Sequence, residues 1–143
     1  MVLLDEILLK DQVEAALRDI PNLQGRVHVG FVPTKVPEIN GFVLPYAVLF
    51  AGLAGDLPLE RCLAGEVDLQ VLDWSPQVNC VGPDADQALA VAVDVKKALT
   101  GLRVGNHWLK PDVDAMRVSR PVLDTQVTPA RFFLPVNMNV ITN

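Results

Sequence analysis

Residues 73–101 read DWSPQVNCVGPDADQALAVAVDVKKALTG, and their pattern decides the fold. Val78 and Cys80 alternate with Gln77 and Asn79, the period of a half-buried strand. Gly82-Pro83 makes a tight turn, and Asp84-x-x-Gln87 resembles a capping box with Asp in the cap position. Asp84 and Asp86 suit the positive end of a helix dipole, Lys96 and Lys97 suit the negative end, and Gly101 supplies the C-cap. Between the caps, Ala88, Val91, Ala92, Val95, Ala98 and Leu99 form an apolar stripe at helical spacing. The strand begins upstream at Val67, with Val67, Leu69 and Val71 on one face. Ser75-Pro76 interrupts it, which predicts a bulge or an edge position, because proline removes a ladder donor.

Working outward, the N-terminal segment predicts a helix from Leu4 to Ile20, with a stripe of Leu4, Leu8, Val13, Leu17 and Ile20 and with Ile7 and Ala16 beside it. Asp5 or Asp11 is available to cap its start, and Pro21 ends it. Residues 26–31 alternate as a half-buried strand in which His28 points away from Val27 and Val29. VPTKVPEING, from Val32 to Gly41, predicts an extended arm rather than a regular element. Phe42 to Leu53 reads as a buried strand with Pro45 at an edge or bulge, and Gly52 to Glu66 as a long polar connection. Toward the C-terminus, Trp108-Leu109 and Met116-Arg117-Val118 alternate again. The clearest period-two run sets Phe132, Leu134, Val136, Met138 and Val140 against Arg131, Phe133, Asn137, Asn139 and Ile141. The order of elements predicts a single α+β domain over residues 1–143, a mostly antiparallel or mixed sheet with two main helices on one face.

The 143 residues suffice for one core, and 50% hydrophobic with 20% charged residues is a globular composition. A net charge of −5 disfavours adhesion to phosphate backbones, which requires clustered Lys and Arg. No basic, apolar, cleavable leader is visible at the N-terminus, and apolar runs fall short of a membrane span, so a protein made in the cytoplasm is expected. Cys62 and Cys80 lack metal or redox spacing and read as reduced thiols.

Chemistry-bearing motifs are sparse. His28 and His107 have no carboxylate or cysteine at ligand spacing. Asp112 and Asp114 do not continue into a calcium loop, and a turn between strands is the preferred reading. The glycines of AGLAGDLPLERCLAG lack a phosphate-loop order, and neither Ser75 nor Ser119 lies in a nucleophile elbow. The expectation is a protein that is not an enzyme and uses no cofactor or metal. Trp74, Trp108, Arg117, Arg120 and Arg131 remain as either strand-face and core residues or interface anchors.

The short N-terminal helix, the Pro/Gly-rich arm, PYAVLF, residues 73–101 with VGPDADQAL, and TPARFFLPVNMNV occur in the order found in tail terminator proteins of long-tailed, siphovirus-type bacteriophages, which the chain resembles over most of its length. The resemblance implies a homo-oligomeric ring, usually a hexamer, on the head-proximal end of the tail tube. Such a ring stops tube growth and offers the docking surface for the DNA-filled head. Its implied partners are further copies of itself, the tail tube protein and a head–tail connector or neck protein. DNA would pass through the lumen without specific binding, which the acidic balance suits. The implied place is the virion tail, assembled in the host cytoplasm. Lys35 and Glu38 on the arm, with Trp74, Arg117, Arg120 and Arg131, are the expected subunit or partner contacts. The Gly52 to Glu66 segment matches nothing specific in that family. Two alternatives stand beside this reading: a head-closure or neck protein, and a small cytosolic ligand-binding domain or enzyme with a site built from His28, His107, Asp112 and Asp114.

Overall fold

Residues 77–99 form the strand, turn and helix that their pattern predicts, in a computed structural model that describes residues 6–33, 35–52, 55–56, 72–104, 107–116 and 118–142. The chain is α+β: helix α1 (Glu6–Arg18) and helix α2 (Ala85–Leu99) pack on a mixed, mostly antiparallel sheet. In chain order the strands are β1 (Val27–Val29), β2 (Glu38–Ile39), β3 (Phe42–Val43), β4 (Tyr46–Phe50), β5 (Gly55–Asp56), β6 (Leu72–Trp74), β7 (Gln77–Gly82), β8 (Arg103–Val104), β9 (His107–Trp108), β10 (Lys110–Pro111), β11 (Val122–Asp124) and β12 (Arg131–Thr142). The main sheet runs β1-β4-β7-β12, with β1 parallel to β4 and the other neighbours antiparallel.

The junction between β7 and α2 depends on Gly82. A β-carbon there would sit 2.7 Å from Ala88 N and 2.9 Å from the Gln87 carbonyl carbon, so any side chain collides with the helix backbone. Asp84 caps the helix through Gln87 N–H, which donates to its Oδ1 at 2.8 Å, and the Gln87 amide donates to Oδ2 at 3.2 Å. Gly101 follows the helix with φ +79°, a conformation that favours glycine. Ala88, Val91, Ala92, Val95 and Leu99 are the buried stripe of α2.

In α1 the helix is as expected, and Val13, Leu17 and Ile20 of its expected stripe are buried, but Leu9 takes the place of Leu8. The buried residues are Leu9, Val13 and Leu17, four apart, whereas Leu8 and Ile7 are exposed. Each fully buried side chain of this kind contributes about 1.5–3 kcal/mol. Leu4 and Asp5 lie outside the described residues, and Asp11 sits inside the helix beside Lys10 Nζ at 2.7 Å rather than at its cap. The core joins both helices to one face of the sheet, through Val27, Ala47, Leu49, Val78, Cys80, Leu134, Val136, Met138 and Val140.

β6 and β7 lie end to end along one side of β12 in unbroken register, with Trp74 opposite Val140 and Gln77 opposite Asn137. The expected bulge at Ser75-Pro76 is therefore absent. Met138 N–H donates to Pro76 O at 3.0 Å. The return bond to Met138 is the one proline cannot make. Asn139 Nδ2 reinforces the junction by donating to Ser75 Oγ at 2.8 Å. Pro135 is opposite Asn79 in a pair whose backbone groups point away from β7, toward the gap between β10 and β11, where no described strand needs its missing donor.

The Val32 to Gly41 arm is more regular than expected. It contains β2, which pairs with β3 in a separate hairpin whose turn residues Asn40 and Gly41 have φ 53° and 81°. Asn-Gly is the strongest short hairpin signal. The apolar run that follows is divided at Leu44-Pro45 into β3 and β4. Met116 ends a 3-10 turn (Val113–Ala115) and packs on the core instead of continuing a strand. Asp112 caps that turn, accepting from Ala115 N–H at 3.3 Å, as the turn reading predicts. Most of the Gly52 to Glu66 connection, including Cys62, and the start of the expected strand at Val67 lie outside the described residues.

Candidate assembly surface

The face of the sheet opposite the helices is not a plain solvent face. Alternation places His28, Tyr46, Val48, Val81, Phe133 and Arg131 on that side, where Tyr46, Val48 and Val81 are buried and Val36 of the arm packs on them with Phe50 and Phe133. The arm and its hairpin thus roof one end of the sheet. Leu44 N–H donates to Pro37 O at 3.0 Å, which fixes the base of the hairpin.

Arg131 is the buried cation beneath this roof, 4% exposed. Its Nη1 donates to Tyr46 OH at 2.9 Å and its Nε to Pro129 O at 3.3 Å, while Nη2 has no hydrogen-bond partner. Arg131 lines a cleft of about 350 Å3 together with Lys35, Val36, Glu38, Thr128 and Pro129. The structure therefore brings together Lys35, Glu38 and Arg131 from two distant stretches of chain. The expectation of a solvated or subunit-facing Arg131 is corrected in one respect: the guanidinium is enclosed by its own chain.

The other expected contact residues lie apart. Trp74 is 1% exposed and donates from Nε1 to Gly52 O at 2.9 Å, so its ring belongs to this chain's own core and not to a free surface. Arg120 is exposed in the segment leading to β11, and Arg117 lies outside the described residues. Trp108 is 61% exposed, with the Arg103 guanidinium 5.8 Å from its ring centroid.

In the arm and just beside it, Phe31, Val32, Ile39 and Phe42 are each more than half exposed. The residues of the enzyme alternative do not converge. His28 is on β1 and β12 is three strands away across β4 and β7, about 14 Å at ordinary strand spacing, while His107 and Asp112 belong to the segments beyond β12. His28 instead packs its ring edge-on to Tyr46 at 5.6 Å and Phe31 at 6.0 Å between centroids. Burial, and secondarily the charge of Arg18, lowers its pKa. Cys80 is buried, and burial pushes its thiol pKa far up, away from thiolate reactivity.

Among the described residues no group of three His, Cys, Asp or Glu side chains is placed to hold a metal, and no helix is long and apolar enough to cross a membrane. The exposed hairpin stands where an irregular arm is expected, although Asn40-Gly41 carries a hairpin's signal. What the arrangement offers chemically is adhesion: exposed apolar side chains on a braced hairpin, flanked by Lys35 and Glu38. No protein-family model matches this chain, and no curated protein matches it.

Proposed function

We propose that this protein is a phage tail terminator, a structural virion component that forms a ring on the head-proximal end of the tail tube. The ring ends tube polymerisation and becomes the docking surface for the head. The observation that carries this reading is the β2–β3 hairpin: Ile39 and Phe42 are 58% and 64% exposed on an element outside the main sheet. A ring needs two different patches on each subunit. The hairpin side and the helix side of the sheet are separate surfaces of that kind. The order of sequence elements from PYAVLF to TPARFFLPVNMNV supports the same assignment. A net charge of −5 suits a wall past which DNA slides without sticking. Mass photometry of the purified chain tests the ring: a closed oligomer with a single stoichiometry is expected, and a monomer at every concentration, unable to bind tail tubes, rejects the proposal.

A further inference from the structure

We propose that the cleft beside Arg131 is a carboxylate-binding site whose central group is the Arg131 guanidinium. The guanidinium donates to Tyr46 OH from Nη1 and to Pro129 O from Nε, while Nη2 keeps both of its donors and has no partner. Arg131 is 4% exposed, and among the described residues no carboxylate forms an ion pair with it. A buried cation without a counter-ion is costly, and an unsatisfied buried donor adds to that cost. An anion that reaches this guanidinium supplies a charge partner and accepts from the unused donors.

The rest of the lining selects the kind of anion. The cleft holds about 350 Å3, within the range of small-molecule sites. Lys35 and Arg131 set two positive charges against the single negative charge of Glu38, so the lining favours an anion of one charge. A carboxylate matches that balance and the flat guanidinium, whereas the second charge of a sulfate or phosphate would meet Glu38. Val36, which packs on the Tyr46, Val48 and Val81 cluster, offers an apolar wall to the carbon end of the ligand. Nη2 is shut off from bulk water, and Lys35, Glu38 and Thr128 of the same lining are exposed, so turning of those side chains admits the ligand. The group recognised is the carboxylate itself, on a small free acid or on a polypeptide side chain. The site needs no second copy and stands apart from the ring reading.

The test follows the Arg131 Nε–H resonance of the full-length chain by NMR during titration with acetate and with glutamate blocked at both its amino and carboxyl ends. Chloride at equal ionic strength is the control. Both carboxylates are expected to shift the resonance saturably, and chloride is not. Equal affinities for the two point to a free acid as the ligand, tighter binding of blocked glutamate points to a polypeptide side chain, and either supports the site. Lys35→Ala is expected to weaken binding roughly two- to five-fold and Glu38→Gln to strengthen it by a similar factor, both at exposed positions. No saturable shift with either carboxylate, or an equal shift with chloride, overturns the site. Sulfate that binds more tightly than acetate overturns its assignment to a carboxylate. None of these results touches the ring, which is read from oligomeric state.

Discussion

Arg131 Nη1 donates to Tyr46 OH at 2.9 Å, reaching across β7 to join the long strand β12 to β4 beneath the arm. The pair is separated by 85 positions in sequence and ties two strands of the sheet together over the one between them. Removing the hydroxyl leaves a buried cation with one donor fewer satisfied. Tyr46→Phe is therefore expected to cost about 1.5–3 kcal/mol in urea denaturation. The Tyr46→Phe, Arg131→Met double variant is expected to cost less than the sum of its single changes, because it removes the buried charge along with its partner.

Gly82 faces the first turn of α2 so closely that a methyl group has no room. Gly82→Ala is expected to destabilise the protein by about 1–3 kcal/mol, since the two nearest atoms it meets are helix backbone and cannot rotate aside. A denaturation midpoint equal to wild type would show that the turn relaxes freely.

His28 has its pKa lowered below 6.5 by burial, with Arg18 adding to the effect. The folded chain then binds this proton less readily than the unfolded chain. Stability is accordingly unaffected by His28 well above pH 6.5 and falls as the pH drops through that value. His28→Gln is expected to flatten the melting temperature against pH across this window, and an imidazole NMR titration is expected to give a midpoint below 6.5.

Cys80 is buried, and its thiol is held in the protonated form by that burial. It is expected to resist a disulfide-exchange reagent in the native protein and to react at once in denaturant. Because Cys62 is the other thiol in the sequence, the measurement is made on Cys62→Ser protein.

The α2 unit was legible because its signals are local: Asp84, the Ala88 to Leu99 stripe and Gly101 each act within a few residues. In α1 the same periodicity gives the helix and the buried Val13, Leu17 and Ile20, but sets Leu8 where Leu9 is buried. Ile7, Leu8 and Leu9 are consecutive apolar residues, and only packing against the sheet selects Leu9. Alternation alone puts Arg131 on the polar face of its strand; its burial depends on Tyr46 and the arm, contacts that no local pattern encodes. The hairpin was obscured by Pro33 and Pro37, which suggest irregular chain, even though Asn40-Gly41 sits between apolar flanks. Exposed surface is the least legible part, since Ile39 and Phe42 have the composition of core residues.

The central proposal is that this protein ends tail growth, and the most direct measurement is tail length by electron microscopy in particles assembled without it. Termination predicts overlong or ragged tails that lack heads, with normal length restored by the wild-type chain and not by Phe42→Asp. Tails of normal, uniform length beside unattached, leaking heads would contradict it and place the protein at the neck instead.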